Sequence, residues 1–511
     1  MKKILISLSL LASLTLSSCG DMLYTKDDEK LSGDEFWTEA TKSTMDGFVN
    51  SMYFSIRKAT MQDAAFLLFS GDLRCAPIET MHDTRDNYYK YIGFLASNDL
   101  NGLRQTYTDQ KDYRADGIMR WKTFYEAIQQ ANIMIKEVER APLPGEQIEA
   151  YKYESRFVRD FVYFLLVRNF GDVPFYTEAY NATPLPRTNM VDILRFIDSD
   201  IQDMLNNDPY ATILPWTRTA ASDRAVKASR GALLALKMHV NMWLAGFDSS
   251  NASTYYANTV TAGHELVDGN GGAYALLPIS QSSSIFRGAS AESILDIAQG
   301  VNYTSGNETF KKEAVFSNQV MYSCFSGQSN AKIYYTYDFM VKAYPPGDED
   351  ARVNLWYDEN AYSSFQKNKE IVKFKNVDTY GSNNDVTSNS GNQIVFRLAD
   401  AILLYAEALA ETGNDGEACT QLNKIRRRAG ASEQNLSGSN LKDFIYWERV
   451  RELIGEGHYF YDLVRTGKIC DNRYAFNTIT RGAFNRGAWT WPISRSALDN
   501  NTKLELNLYW E

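Results

Sequence analysis

Apolar residues recur every three or four positions along much of the chain, and this spacing predicts amphipathic helices. Residues 121–140 follow the pattern, and Pro142 ends the element. The next segment, about 146–170, has a wider apolar face and is followed by Gly171 and Pro174. Because the linker between the two segments is short, they predict an antiparallel helical hairpin.

Further segments show the same helical spacing, namely 189–205, 225–247, 255–267, 398–411 and 416–429. In the last pair, the small residues Ala406, Ala410 and Ala418 allow two helices to approach closely. The hairpins resemble tetratricopeptide-type repeats, although their period is irregular. The predicted fold class is therefore mainly α, with a scaffold of helical hairpins, long irregular loops and a few short β-strands.

Two segments break the helical pattern, 70–116 and 269–392. The second is rich in Gly, Ser, Asn and Tyr, with β-like pieces at 293–297 and 371–375 and a polar loop at 381–391. Long irregular segments carried on a helical scaffold are where binding residues usually lie. We therefore expect the ligand site in these two segments.

The N-terminus has the pattern of an export signal. Lys2 and Lys3 precede an apolar run at 4–16, which is too short to span a bilayer. Two serines then precede Cys19, an arrangement that resembles a bacterial lipobox in which this cysteine is acylated. We expect a signal peptide at 1–18 and a lipidated stalk at 19–30; the alternative is an ordinary secretory peptide that happens to contain a cysteine.

Composition narrows the classes of function. The net charge is −10 with acids and bases interspersed, which argues against nucleic acid as a partner. Only four histidines are present, each far from the others in sequence, whereas the chain has 32 Tyr, 26 Phe and 9 Trp. Aromatic side chains on a surface protein can stack on sugars or anchor interfaces, although most fill helix–helix cores.

Four cysteines follow Cys19, namely Cys75, Cys324, Cys419 and Cys470. In an oxidising compartment they could form two disulfides, with three possible connectivities. No pair has the spacing of a metal site, and free buried thiols remain the other possibility.

Blocks in register along the chain closely resemble the SusD/RagB family of outer-membrane nutrient-binding lipoproteins. They are Phe36-Trp37, 121–132, 154–174, 272–276, 397–408, 422–430, 448–465 and 491–493. The resemblance runs from the lipobox nearly to the C-terminus. Two positions depart from it, since His458 stands where the family usually has Arg and 500–509 lacks the usual Pro-containing ending.

The resemblance implies a SusD-like helical fold, with regions 31–268 and 269–511 packed as one body. It also implies a lipid-anchored protein of the outer membrane, facing the exterior, that covers a SusC-like, TonB-dependent barrel. Such proteins receive glycans or, in some members, peptides. Neither a cofactor nor a metal is expected.

Because family motifs mark the scaffold, we expect ligand contacts outside them. Asp72 and Arg74 are the polar candidates, and Trp356 is the leading aromatic one, expected to be an exposed platform. The other stacking candidates are Tyr88, Tyr89, Tyr91, Tyr107, Tyr335, Tyr337 and Tyr357. In contrast, the motif charges Glu448, Arg451, Glu452 and Glu456 have the i,i+3 and i,i+4 spacing of structural ion pairs.

Two other classes of function stay open at this stage. A secreted glycan hydrolase needs two carboxylates across one cleft, and no motif selects such a pair from the 63 acidic residues. Nucleophile elbows, metalloprotease motifs and phosphate-binding loops are missing from the sequence. A purely structural surface adaptor would fit the scaffold but gives the aromatic loops no role.

Overall fold

The structure is a computed structural model and is predominantly helical. It describes residues 33–61, 66–80, 87–99, 101–102, 118–210, 212–218, 223–298, 304–305, 308–309, 333–365, 370–375, 377–380, 386–389 and 391–511. Cys19, Tyr107 and Cys324 lie outside these residues. The predicted mainly α fold class is confirmed.

Helices account for most of the described part of the chain. In chain order they are α1 Gly33–Thr38, α2 Lys42–Met61, α3 Phe66–Leu68, α4 Asn87–Ala96, α5 Lys122–Glu137, α6 Gly145–Phe170, α7 Met190–Asn206, α8 Arg230–Phe247, α9 Ala252–Gly263, α10 Ser282–Arg287, α11 Tyr337–Ala343, α12 Ala351–Trp356, α13 Leu398–Glu411, α14 Asp415–Arg428, α15 Gly438–Leu453, α16 Tyr459–Arg465, α17 Arg481–Asn485 and α18 Arg495–Asn500.

Local signals set several boundaries of the long helices near their predicted positions. Helix α6 stops where Gly171 adopts a φ of +68°, a left-handed conformation that favours glycine. Helix α8 starts later than predicted, at Arg230, since Ala225 has a φ of +60° and Ser229 caps the helix through the Ala232 amide.

Neighbouring helices pack on one another in series. Helix α5 pairs with α2 and α6, α6 with α7, α7 with α8, and α8 with α9. Helix α9 then packs on α13, which contacts α14 and α15. One cluster of buried apolar side chains contains residues from Trp37 to Trp510. Among the described helices, none combines the length and the apolarity that crossing a bilayer would require.

The strands form short antiparallel pairs. They are β1 Ile78–Thr80 with β5 Ile333–Tyr335, β2 Ser293–Ile297 with β8 Gln393–Arg397, β3 Thr304–Ser305 with β4 Glu308–Thr309, and β6 Val377–Tyr380 with β7 Val386–Asn389. The strand predicted at 293–297 is confirmed. The one predicted at 371–375 is wrong, because Val372–Phe374 forms a 3₁₀ turn. The polar loop predicted at 381–391 contains a strand, β7.

A buried charge network lies at the C-terminal end of α15. Its acidic members are Glu292, Asp348, Asp350, Glu448, Glu452 and Glu456, and its basic members are Arg352, Lys373, Arg397, Arg426, Arg428 and Arg451. Except for the partly exposed Asp348, these side chains are buried. The motif charges are therefore structural: Glu448 and Arg451 form the predicted i,i+3 pair, whereas Glu452 and Glu456 pair with residues of other elements.

The network joins segments that are far apart in the chain. Arg352, which is fully buried, donates 2.7 Å to Glu448 and 3.0 Å to Glu452. Arg397 binds Glu456 at 2.6 Å and the Glu452 carbonyl at 2.9 Å. Buried ions are stabilising only when each one is compensated, so the loss of one member leaves its partners unpaired.

We expect Glu452→Gln to lower the free energy of unfolding by about 3–5 kcal/mol, because it removes the charge that faces three buried guanidinium groups, those of Arg352, Arg397 and Arg428. The matched control is Glu433→Gln, which breaks the exposed 3.3 Å pair with Arg427 and should cost less than about 1 kcal/mol. Urea unfolding of both variants measures the difference. Equal losses would show that the network does not stabilise the fold.

Stability should also fall in acid. Burial alone would raise the pKa of Glu448, but the guanidinium groups of Arg352, Arg451 and Arg426 outweigh it and lower that pKa to about 2. A carboxyl group with a depressed pKa stabilises the fold above its unfolded pKa, and this contribution is lost as the pH falls through the folded value. Urea unfolding should therefore show decreasing stability from about pH 4.5 toward pH 2.5. Unchanged stability over this range would contradict the assignment.

Candidate functional site

The two predicted binding segments meet at one β-ribbon. Strand β1 lies in the first segment and β5 in the second, with Ile78 opposite Tyr335. The pairing continues from the Thr336 amide to the Pro77 carbonyl at 3.0 Å, and the Tyr334 hydroxyl donates to Glu79 on the same ribbon. Sequence reasoning did not predict this pairing, since three-residue strands carry almost no periodic signal.

Asp72 does not reach solvent. Its side chain is 1% exposed, and the carboxylate accepts hydrogen bonds from the backbone amides of Gly455 and Gly457. Burial raises its pKa to about 7 against the opposing effect of those donors. A Cβ at Gly71 would lie 2.2 Å from the Gly457 carbonyl oxygen, so only glycine permits this approach. The predicted ligand contact is corrected, because Asp72 fastens two backbone segments together.

Arg74 is also a structural residue. Its guanidinium is fully buried and donates 2.6 Å to the carbonyl of Trp489, while the rings of Phe460 and Trp491 lie 4.7 and 5.0 Å away. Burial lowers its pKa to about 10. The prediction of a ligand contact is corrected here as well, since Arg74 anchors the C-terminal segment.

Trp356 is not the exposed platform that the sequence suggested. The ring is 0% exposed, its Nε1 donates to Ser282 at 2.9 Å, and the Lys373 ammonium lies 4.3 Å from the ring centroid. The prediction of an exposed platform is therefore wrong, and Trp356→Ala would destabilise the fold because the substitution would open a cavity in the core. Three tyrosine candidates are buried in the same way, namely Tyr91, Tyr335 and Tyr357.

Tyr337 is the described candidate whose ring reaches solvent. It is 43% exposed at the start of α11, directly after the β-ribbon. Tyr88 and Tyr89 belong to α4, but their side chains lie outside the described part of the structure, as does all of Tyr107. Tyr337 lines a groove of about 690 Å³, which we call the Tyr337 groove. Its other walls include residues 345–351, Asn354, Tyr362 and Gly430.

A tight turn forms the rim of the groove. The Asp348 amide donates to the Pro345 carbonyl at 3.1 Å, with Pro346 and Gly347 between them. Proline pre-sets the second position of such a turn, and Gly347 supplies the positive φ, +96°, that the third position requires. The rim is therefore shaped before any ligand arrives.

The buried charge network holds this rim against the scaffold. Asp348 pairs with Arg426 of α14 at 3.0 Å, and Asp350 binds Arg352 at 2.7 Å. The Ala351 amide also donates 2.8 Å to the Ala429 carbonyl. These contacts fix the rim on the core, so the packing of the core determines the geometry of the groove.

The groove combines aromatic surface with hydrogen-bond acceptors. Tyr337 and Tyr362 supply the rings, and Asp348, Glu349 and Asn354 supply side-chain oxygens. No lysine or arginine is among its lining residues in the described structure. This chemistry suits a neutral ligand rich in hydroxyl groups and disfavours an anion.

The structure assembles one group that could share a metal ion, which sequence reasoning missed because its members are distant in the chain. Among the described residues, His239, Asp400 and His458 place their ligand atoms within 4.8 Å of one another. His239 Nε2 lies 2.7 Å from Asp400, and the Arg449 guanidinium lies 2.9 Å from the same carboxylate. Because that guanidinium already neutralises the carboxylate, an added cation would be repelled. We assign the group as a buried hydrogen-bonded cluster.

Burial also keeps the two imidazoles of this cluster neutral. It lowers the pKa of His239, and it lowers that of His458 to about 4, in spite of the nearby Asp400. His458 therefore packs as an uncharged ring, stacked 5.6 Å from His239.

Cys75, Cys419 and Cys470 are free thiols within the described residues.

Comparisons with known proteins agree with this architecture. A sequence-family model described as the SusD family matches residues 298–510. A second family model, described as starch-binding associating with outer membrane, matches residues 77–228. A solved SusD homologue from Bacteroides thetaiotaomicron is 48% identical, with a TM-score of 0.85 and coverage of 93% of this chain and 100% of that chain.

Curated relatives give the same result. SusD-like protein P38 of Formosa agariphila is 24% identical over 99% of each chain. The starch-binding protein SusD of Bacteroides thetaiotaomicron is 30% identical over 159 residues, which are 29% of this chain and 27% of that one. These matches confirm the resemblance seen in the sequence blocks: the chain belongs to the SusD family.

Proposed function

We propose that this protein is a cell-surface lipoprotein that captures a nutrient glycan and passes it to a SusC-like, TonB-dependent barrel of the outer membrane. The observation that carries the binding proposal is the Tyr337 groove, which has a solvent-facing ring, acceptor side chains and a preformed rim. A ring of this kind can stack on the apolar face of a sugar while the oxygens accept its hydroxyl groups.

Membership of the family supports a glycan as the ligand. One matching model is described as starch-binding and associated with the outer membrane, and one relative is named a starch-binding protein. The described lining of the groove is rich in hydrogen-bond acceptors and has no lysine or arginine, which suits a neutral saccharide. Since one exposed aromatic ring and a few solvent-facing hydrogen bonds carry the contact, we expect affinity between about micromolar and millimolar.

Capture without catalysis fits the groove better than hydrolysis does. A glycosidase needs one carboxylic acid and one carboxylate across the scissile bond. Here Asp348 and Asp350 are tied to Arg426 and Arg352, which leaves Glu349 as the acid of the rim without such a pair in the described structure. We infer a passive binder that needs no metal ion.

Tyr337→Ala should weaken binding of the glycan by at least about tenfold, because it removes the stacking surface, and should change the thermal midpoint little, because the ring is 43% exposed. The matched control is Tyr210→Ala, whose ring has the same exposure but does not line the groove. A panel of neutral polysaccharides that includes amylopectin, followed by calorimetry with the best binder, measures the effect.

Three results would contradict parts of the proposal, the third of them from a parallel titration with peptides. Equal binding by wild type and Tyr337→Ala would place the ligand elsewhere. Release of shorter saccharides from the polysaccharide by wild type would favour the hydrolase. Binding of peptides but of no saccharide would indicate a peptide-binding member of the family.

The lipid anchor has its own test. Cys19→Ala should leave the protein as unprocessed precursor or release it from membranes, because the acyl chains supply the apolar surface that holds it there. Membrane fractionation and the mass of the mature chain measure this effect. Cys75→Ala is a control for the loss of a cysteine as such. Unchanged fractionation together with a normal mature mass in Cys19→Ala would refute lipidation at this position.

A further inference from the structure

A second pocket, on another part of the molecule, has a different chemistry. It has a volume of about 810 Å³ and lies between the start of α5, the loop at 174–185 and α18. Hydrogen bonds join its three walls: the Tyr125 hydroxyl donates 2.6 Å to the Pro174 carbonyl, Asn501 donates 2.9 Å to the Leu185 carbonyl, and the Ser494 amide donates to the Met119 carbonyl. The pocket is therefore preformed.

Aromatic rings form one wall of this pocket. Tyr125 and Tyr176 stack with their centroids 6.1 Å apart and their planes 13° from parallel, and Trp121 meets Tyr125 edge-on at 5.7 Å. The lining also includes amide and hydroxyl side chains, among them Asn500 and Ser496. Aromatic rings together with hydrogen-bonding groups match the two kinds of surface that a sugar presents.

The charge of the lining distinguishes this pocket from the Tyr337 groove. Arg120 and Lys122 line it, and no aspartate or glutamate is among its described lining residues. The side chain of Lys122 is 86% exposed, and its contact with Glu126 is long, at 3.9 Å. Arg120 and Lys122 are thus the charged groups among the described lining residues, and their charge favours a negative ligand even in a chain with a net charge of −10.

The N-terminal end of α5 is positive, like the two basic side chains of the pocket. No side chain caps this helix at Trp121, and no acidic residue lies in its first turn. The positive end of the helix therefore adds to the field of the two cations.

We propose that this pocket is a second saccharide site, separate from the Tyr337 groove, and that it binds anionic sugars through Arg120 and Lys122. The aromatic wall holds the sugar face, and the two cations bind its carboxylate or sulfate group. Neutral sugars lack that group and gain no charge–charge attraction from the cations. The two sites would let one protein hold a glycan whose neutral and acidic parts differ.

The test uses the double variant Arg120→Glu/Lys122→Glu in the mature, soluble chain. The probes are an oligogalacturonate, a sulfated carrageenan oligosaccharide of similar length and the neutral glycan bound by the Tyr337 groove. Calorimetry should show that wild type binds at least one anionic probe, that added salt weakens this binding, and that the double variant loses at least about tenfold in affinity. Binding of the neutral glycan should be unchanged.

Two controls separate this site from the proposed function. Lys42→Glu changes an exposed lysine that also has an acidic i+4 neighbour but lies outside the pocket, and it should bind the anionic probes normally. Tyr337→Ala should affect the neutral glycan alone. Binding of one anionic probe but not the other identifies the carboxylate or the sulfate as the recognised group. The inference is overturned if wild type binds neither anionic probe, or if the double variant keeps full affinity with an unchanged thermal midpoint.

Discussion

The rest of the structure depends on the buried ion pairs that the carboxylates of Glu448, Glu452 and Glu456 make. Each compensates basic groups that come from other elements, and together they let several guanidinium groups lie in the core. Such an arrangement tolerates little change, because every buried charge relies on its neighbours. The rim of the Tyr337 groove is bound to the same network through Asp348 and Asp350, so the shape of the groove follows from the electrostatics of the core.

Much of the fold could be predicted from the sequence because helices carry a local signal. Periodic apolar positions located the hairpin at α5 and α6, and Gly171 marked the C-terminal end of α6. The segment at 371–375 shows where this reasoning fails. Its alternating pattern looked like a strand, but Lys373 is drawn into the core to donate to the Glu452 and Ile454 carbonyls, and that long-range contact decides the local conformation.

The candidate site was harder to predict, since exposure is a property of the whole fold. Trp356 stands in a polar stretch of sequence and is nevertheless fully buried, whereas Tyr337, nineteen positions earlier, faces solvent. The sequence favoured exposed side chains for Asp72 and Arg74, because their hydrogen-bond partners are backbone groups of distant segments that no local pattern shows. The pocket lined by Arg120 and Lys122 is formed by residues near 121, 180 and 500, and no linear motif could have indicated that these positions meet.

The wide sequence separation of the paired charges also shapes how the chain folds. Arg352 is 96 positions from Glu448, and Arg397 is 105 positions from Glu292 and 59 from Glu456. During synthesis these arginines emerge well before their C-terminal partners, and they must stay hydrated until those carboxylates arrive. Long-range contacts of this kind slow folding, because the loops must close before the contacts are gained. We therefore expect the C-terminal half to close late in folding, and in the finished protein the same coupling opposes partial opening and hence proteolysis.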